Sequence, residues 1–242
     1  MRSAPADALS TRIADRADAV RSRIAAACAR AGRSPDAVTL VAVTKTFPLP
    51  VVEAAVAAGL RDFGENRVQE LAAKAEALPG EHAGGGVRWH LIGHLQRNKA
   101  KEALRHADAF HALDSLRLAE TLERRAAQAG RVLPCLVQVN VSGEGTKEGV
   151  DPEEAHALLG VVASFAHLRI DGLMTMAAPA ATEAELETVV RPQFRQLRRL
   201  AETAPGGALP VVSMGMSGDY EVAVEEGATH VRLGSALFGP RS

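Results

Sequence analysis

Lys45 stands at the exit of a short apolar run, Leu40-Val41-Ala42-Val43-Thr44, and Thr46-Phe47-Pro48 follow at once. A β-branched stretch of this length, bounded by proline, predicts a buried strand. A lysine inside such a strand is costly, but at its exit the side chain can reach a cleft. A partly desolvated amine there has a lowered pKa and can attack a carbonyl carbon to form a Schiff base. Taken alone, Lys45 also fits a lysine that snorkels from the core to water, and that plainer account carries more weight until other residues are considered.

Two clusters near the C-terminus change the balance: Ser213-Met214-Gly215-Met216-Ser217 and Arg232-Leu233-Gly234-Ser235. Gly215 and Gly234 let the backbone come close to a ligand with its N–H groups aimed at an anion. Ser213, Ser217 and Ser235 add hydroxyl donors. The same serines and glycines also serve as helix caps and tight turns; a cap and a phosphate grip use the same N–H groups. Arg232 lies two residues before Gly234, so strand alternation puts both on one face. A guanidinium that keeps its proton would hold a neighbouring pyridine nitrogen unprotonated. An ion pair with Glu225 is the alternative. Together an amine, an anion grip and a fixed cation describe a site for an aldehyde that bears a phosphate, and pyridoxal 5'-phosphate meets all three requirements.

These residues need a frame. Strands are predicted at 39–44, 61–64, 88–93, 109–112, 134–141, 170–176, 210–214 and 230–233. Helices are predicted between them at 49–58, 67–77, 97–105, 115–129, 152–164, 183–204 and 220–226. Leu9, Ile13, Ala17, Val20 and Ile24 recur at helical spacing in a leading helix over 8–31, with Gly32 as its stop. Alternation of strand and helix about eight times implies parallel strands joined by crossover helices. In roughly 240 residues this is the usual size of a closed (β/α)8 barrel. The expected organisation is α/β, a single barrel domain over 1–242, with a leading helix at 1–33 and the barrel at 38–239. An open doubly wound sheet is the rival, but its Gly-x-Gly-x-x-Gly turn after the first strand is missing. Residues 81–86, Glu-His-Ala-Gly-Gly-Gly, read as a surface loop.

Barrels build their sites at the C-terminal ends of the strands. Polar or special residues recur there: Lys45, Glu65-Asn66, Gly93-His94, Asp114, Asn140 with Ser142, Met174-Thr175-Met176, and the two clusters above. Asn66 joins the cofactor-binding candidates on that placement. A phosphate commonly sits between the loops after strands seven and eight, against a helix N-terminus.

Composition narrows the partners. A formal net charge of -1 gives no electrostatic reason to expect nucleic acid or an anionic membrane. The basic stretches at 96–101 and at Arg195, Arg198 and Arg199 read as solvated helix faces. No apolar run is long enough to span a bilayer, and the N-terminus lacks a signal-peptide core. With only two cysteines, Cys28 and Cys135, there is no disulfide framework and no zinc ligand set, so a reducing cytoplasm is the expected compartment. Cys135 reads as an inert core thiol. His90 and His94 lack a third ligand at helpful spacing, so no metal is expected.

The motifs carry a resemblance. Leu40 to Lys45, Phe63-Gly64-Glu65-Asn66, Trp89 to Gln96 with Asn98-Lys99, Gly172 to Met176, Ser213 to Ser217 and Val231 to Gly239 resemble, in order and spacing, the pyridoxal phosphate homeostasis protein family. The likeness runs from the first strand to the C-terminus. It implies a barrel like the N-terminal domain of alanine racemase. It also implies a Schiff base at Lys45, a pyridine-nitrogen contact at Arg232, and a phosphate site at Ser213, Gly215, Ser217, Gly234 and Ser235. The sequence departs from the family's pattern in places. Arg67 stands where tyrosine is common, Ser235 where threonine is common and Thr146 where serine is usual. Lys147 is either a second amine able to engage the cofactor or a solvated loop lysine.

Family members are associated with vitamin B6 balance and have no established turnover. A racemase needs two opposed acid/base groups at the α-carbon. Lys45 could be one, but Tyr220, the only tyrosine, falls on a predicted helix. The expectation is therefore a monomeric carrier that takes the cofactor on Lys45 and passes it transiently to apo-enzymes. The rivals are a racemase or related enzyme, a cofactor-free Schiff-base lyase acting on a sugar phosphate, and a pure interaction module.

Overall fold

The structure, a computed structural model, describes residues 4–143 and 148–240. Thr146 and Lys147 lie outside the described residues. The chain opens with α1 (Ala4–Arg30), then β1 (Thr39–Val43), α2 (Leu49–Ala57), β2 (Asp62–Glu65), α3 (Val68–Ala77), β3 (Arg88–Leu91), α4 (Ala100–His106) and β4 (Ala109–Leu113). It continues with α5 (Leu116–Ala129), β5 (Leu133–Gln138), α6 (Pro152–Val162), β6 (Leu168–Met174), α7 (Glu183–Glu185) and α8 (Arg191–Glu202). The last elements are β7 (Val211–Ser213), α9 (Tyr220–Glu225), β8 (His230–Leu233) and α10 (Ser235–Phe238). All strands pair in parallel, and β8 returns to β1, so the sheet closes into an eight-strand barrel. This is the barrel expected from the alternation.

Parallel strands in a closed barrel are covered on both faces, which is why they read as apolar runs rather than alternating ones. Ile13, Ala17, Val20, Ile24 and Ala27 form the buried stripe of α1. That stripe packs α1 across α2, α9 and α10, over the seam where β8 meets β1. Gly32, at φ +65°, ends the helix as expected. Arg33 then ties the turn to α9 by donating to the carbonyls of Val224 and Ala228. Phe47, just after β1, meets Phe238 of α10 with ring centroids 5.1 Å apart.

The ends of several strands and helices shift by two or three residues from expectation, and two elements differ for clear local reasons. The helix predicted at 183–204 is interrupted by a π-helical turn, Leu186–Val190. Pro192 has no N–H to give the carbonyl of Thr188, and the ladder widens there. The fifth strand stops at Gln138 rather than 141, because the chain folds back on itself. Val139 bridges Val150, and Asn140 donates to the Val150 carbonyl at 2.9 Å.

A barrel interior is ordinarily filled by branched aliphatic side chains. Here His90, His111 and His230 meet in it, with ring centroids 4.9–6.2 Å apart.

Candidate cofactor site at the barrel mouth

The C-terminal ends of the strands open onto a cavity of 530 Å³. Lys45, Asn66, Ser217, Arg232, Gly234 and Ser235 all line it, beside Val43, Arg67, Ile92, His94, Glu148, Met176 and Met216. Residues far apart in the chain thus converge on the β8–β1 seam.

Lys45 is presented by a shaped turn. Thr46, next to it, has φ +68°, which is unusual for a β-branched residue and costs about 1–3 kcal/mol. Its N–H donates to Glu70 Oε2 at 2.8 Å, which holds the turn. On the other side, the Thr44 carbonyl accepts from Lys74 Nζ at 2.8 Å. Lys74 also meets Glu65 Oε1 at 2.6 Å, and Thr44 Oγ1 donates to the same oxygen at 2.6 Å. Glu65 and Lys74 are buried between barrel and α3. Burial raises the Glu65 carboxyl above its ordinary value, and the bonds from Lys74 and Thr44 offset this only in part. Glu65 Oε2 is buried with no hydrogen-bond partner. No sequence signal singled out Lys74 or Glu70. They stand 30 and 24 positions along the chain from the residues of the Lys45 turn that they bond.

The loop after β7 and the start of α10 form the opposite wall. Ser217 Oγ accepts from the Ala236 N–H at 3.2 Å, so it caps α10 while facing the cavity. Ser213 and Gly215 do not line the cavity. Gly215, at φ +94°, lies against α9, and a Cβ there would come within 2.6 Å of the Ala223 Cβ. Its requirement for glycine is packing and backbone conformation. Ser213 is buried one layer below, where its Oγ accepts from Arg232 Nη1 at 2.8 Å.

Arg232 enters the cavity floor from β8. Its Nη2 donates to the Thr175 carbonyl at 2.7 Å. Glu225, the alternative partner, instead binds Arg30 and Arg191 on the outer helices, both at 2.6 Å. Strand alternation decides this: Arg232 points inward, whereas Glu225 lies on α9. Burial lowers the Arg232 guanidinium to about 10, with the charge of Asp219 offsetting in part, and it remains a cation at neutral pH.

The other candidates separate cleanly. His90 points into the barrel and His94 to the mouth, where His94 Nδ1 lies 3.2 Å from Asp114 Oδ2. Among the described residues no group of three or more His, Cys, Asp or Glu side chains could hold a metal ion. Tyr220 is buried under α1 with Arg23 over its ring, away from the cavity. Cys135 is buried, and burial pushes its thiol up. No helix of the described residues is long and apolar enough to cross a membrane.

The barrel and its mouth define a class first. Residues 16–242 match the family model described as Alanine racemase, N-terminal domain. The chain is 44% identical to the pyridoxal phosphate homeostasis protein of Pseudomonas aeruginosa, covering 95% of this chain and 96% of that one. It is 42% identical to the protein of that name from Aquifex aeolicus, covering 94% and 97%. A solved structure of PipY from Synechococcus elongatus with PLP bound superposes with a TM-score of 0.78 at 39% identity, over 94% of this chain and all of that one. The chain belongs to the pyridoxal phosphate homeostasis protein family.

Proposed function

We propose that the protein binds pyridoxal 5'-phosphate at the barrel mouth and serves in its homeostasis. One observation carries this reading: an amine, a buried guanidinium and the capped start of a helix line a single cavity at the β8–β1 seam. The donor set fits the ligand. The cavity has the size of a small-molecule site. Lys45 binds the aldehyde carbon reversibly through Nζ, with one water leaving. The N–H groups at the start of α10, with Ser217, Gly234 and Ser235 around them, receive the phosphate, and Asn66 meets the cofactor from the same cavity. Arg232 faces the ring nitrogen and donates to it, because a guanidinium has no lone pair to accept with. When bound, the cofactor supplies an electrophilic carbon. The protein's part is to hold it, orient it and let it go. The PLP-bound relative of the same fold supports the assignment.

The same reading makes the protein a cytoplasmic monomer that passes the cofactor transiently to apo-enzymes. Met176 and Met216 are exposed at the rim, where adaptable apolar side chains suit brief contacts. The test is borohydride reduction of the PLP-loaded protein, then peptide mapping. Modification at Lys45, and loss of both label and visible absorbance in Lys45→Ala, is the expected result. Label at another lysine with Lys45 unmodified overturns it.

A further inference from the structure

Below the cavity floor a line of hydrogen bonds crosses the inside of the barrel. Arg232 Nη1 lies 2.8 Å from Ser213 Oγ. Ser213 Oγ is 3.2 Å from His111 Nδ1, and His111 Nε2 is 2.9 Å from His90 Nδ1. His90 Nε2 is 3.0 Å from Asp62 Oδ1, at the N-terminal end of β2. Arg88 Nη1 approaches the same oxygen at 3.6 Å. Five strands each contribute one member: β8, β7, β4, β3 and β2. Arg232, Ser213, His111 and His90 are all buried, so the bonds among these four are not shared with bulk water, and only the Asp62 end is partly exposed.

The two ends fix the direction of the protons. A guanidinium only donates, and a carboxylate only accepts. Ser213 accepts from Arg232 and has one proton to pass on. Given to His111 Nδ1, it requires His111 to carry its own proton on Nε2, which is donated to His90 Nδ1. His90 then carries its proton on Nε2, donated to Asp62. Every donor and acceptor is used, and both histidines are neutral. Reversing the two inner bonds needs a second proton on His90, because Nε2 must still donate to Asp62. It would also converge two donors on Ser213 Oγ and leave its proton without this acceptor. His90 and His111 face His230, and Arg88 and Arg232 stand at either end. Burial first, and then repulsion from any proton taken up by His90 or His230 and from the Arg232 cation, hold His111 well below its ordinary value.

We propose that His111 is a positioning residue for Arg232. The one-way chain Arg232–Ser213–His111–His90–Asp62 holds the guanidinium in a single orientation, with its remaining N–H groups toward the cavity. The ligand's identity rests on the function proposed above; the direction of the chain does not.

The test therefore has two arms. In the first, the full chain with 15N-labelled histidine, without added cofactor, is examined by long-range proton–nitrogen NMR at neutral pH, with assignments from His90→Asn and His111→Asn. Protons on Nε2 of both rings, with Nδ1 bare, are expected. An Nδ1 proton on His111 or a charged His90 overturns the chain. In the second, pyridoxal 5'-phosphate is the probe. Ser213→Ala and His111→Phe should each weaken its binding on the order of tenfold and move the pH midpoint of its bound absorbance. His111→Asn, which restores an acceptor for Ser213, should recover most of the affinity. Ser213→Ala removes only a hydroxyl and gives a reading should His111→Phe not fold. Lost thermal stability with unchanged affinity and midpoint overturns the positioning role. A wild-type protein that binds no cofactor, with the tautomers as stated, would refute the proposed function and leave the chain standing.

Discussion

The two residues that define the site are held by opposite means. Beneath Lys45 lies an ion pair, Glu65 with Lys74, between the barrel and α3. Beneath Arg232 lies a line of neutral groups inside the barrel. The difference follows from what each compartment can supply. Between barrel and helix, a strand and a helix face one another, and a long lysine stem can bring its charge to a carboxylate. Inside the barrel only strands contribute, and a second charge would have to be desolvated beside the first. There the guanidinium's bonds go to a hydroxyl and a carbonyl, and the matching carboxylate, Asp62, stands at the far end.

The largest expected effect tests the ion pair. Lys74→Met leaves the buried Glu65 without its cation, and should cost about 3–5 kcal/mol in urea unfolding. Replacing Glu65 by Gln in the same protein should recover part of that loss. A single variant as stable as wild type would mean that the pair does not hold the Lys45 turn.

Acid should separate the two networks. The folded-state values of His111 and His230 are depressed, His230 to about 4, with burial the first cause for each. Their contribution is complete above the ordinary histidine value. It is lost as pH falls from about 6.5 toward 4, because the unfolded chain takes up protons that the native barrel refuses. For His230 this amounts to about 3 kcal/mol at most. Glu65 has the opposite sign. Its raised carboxyl stabilises the fold most below its unfolded value, and that contribution is lost as pH rises through the folded one. Denaturant midpoints measured against pH should therefore fall on acidification in wild type and fall less steeply in His230→Asn. Equal slopes in the two proteins would remove the histidines as the acid-sensitive region.

Smaller effects sharpen the picture at the rim. Thr46→Gly removes a left-handed β-branched residue and should stabilise the fold by about 1 kcal/mol, while loosening the turn that presents Lys45. Calorimetry and cofactor affinity should move in opposite directions. Ser217→Ala removes the cap on the Ala236 N–H and should cost about 0.5–1 kcal/mol in thermal unfolding.

The barrel was legible because each strand is a short apolar run and each crossover carries a helical stripe, and both signals are local. Lys45, Asn66, Ser217, Arg232, Gly234 and Ser235 could be read because strand exits in a barrel share one face. Ser213 and Gly215 belong to the same motif, yet they face the floor and α9, and motif spacing does not say which members of a turn look outward. Lys74, Glu70, His111 and Asp62 gave no signal, since a supporting side chain is defined by what lies across from it.

The order of strands and helices, the amine at the first strand's exit and the glycine-rich turns near the end were fixed by sequence alone, because they depend on neighbours a few residues away. Only the closed barrel decided that Arg232 faces Ser213 and Thr175 rather than Glu225, that three histidines share the interior, and that a buried lysine steadies the turn before Thr46. The hydrogen bonds among them join residues up to 57 positions apart, the ring contact of His90 with His230 reaches from β3 to β8, and nothing short of closing the sheet brings these groups together.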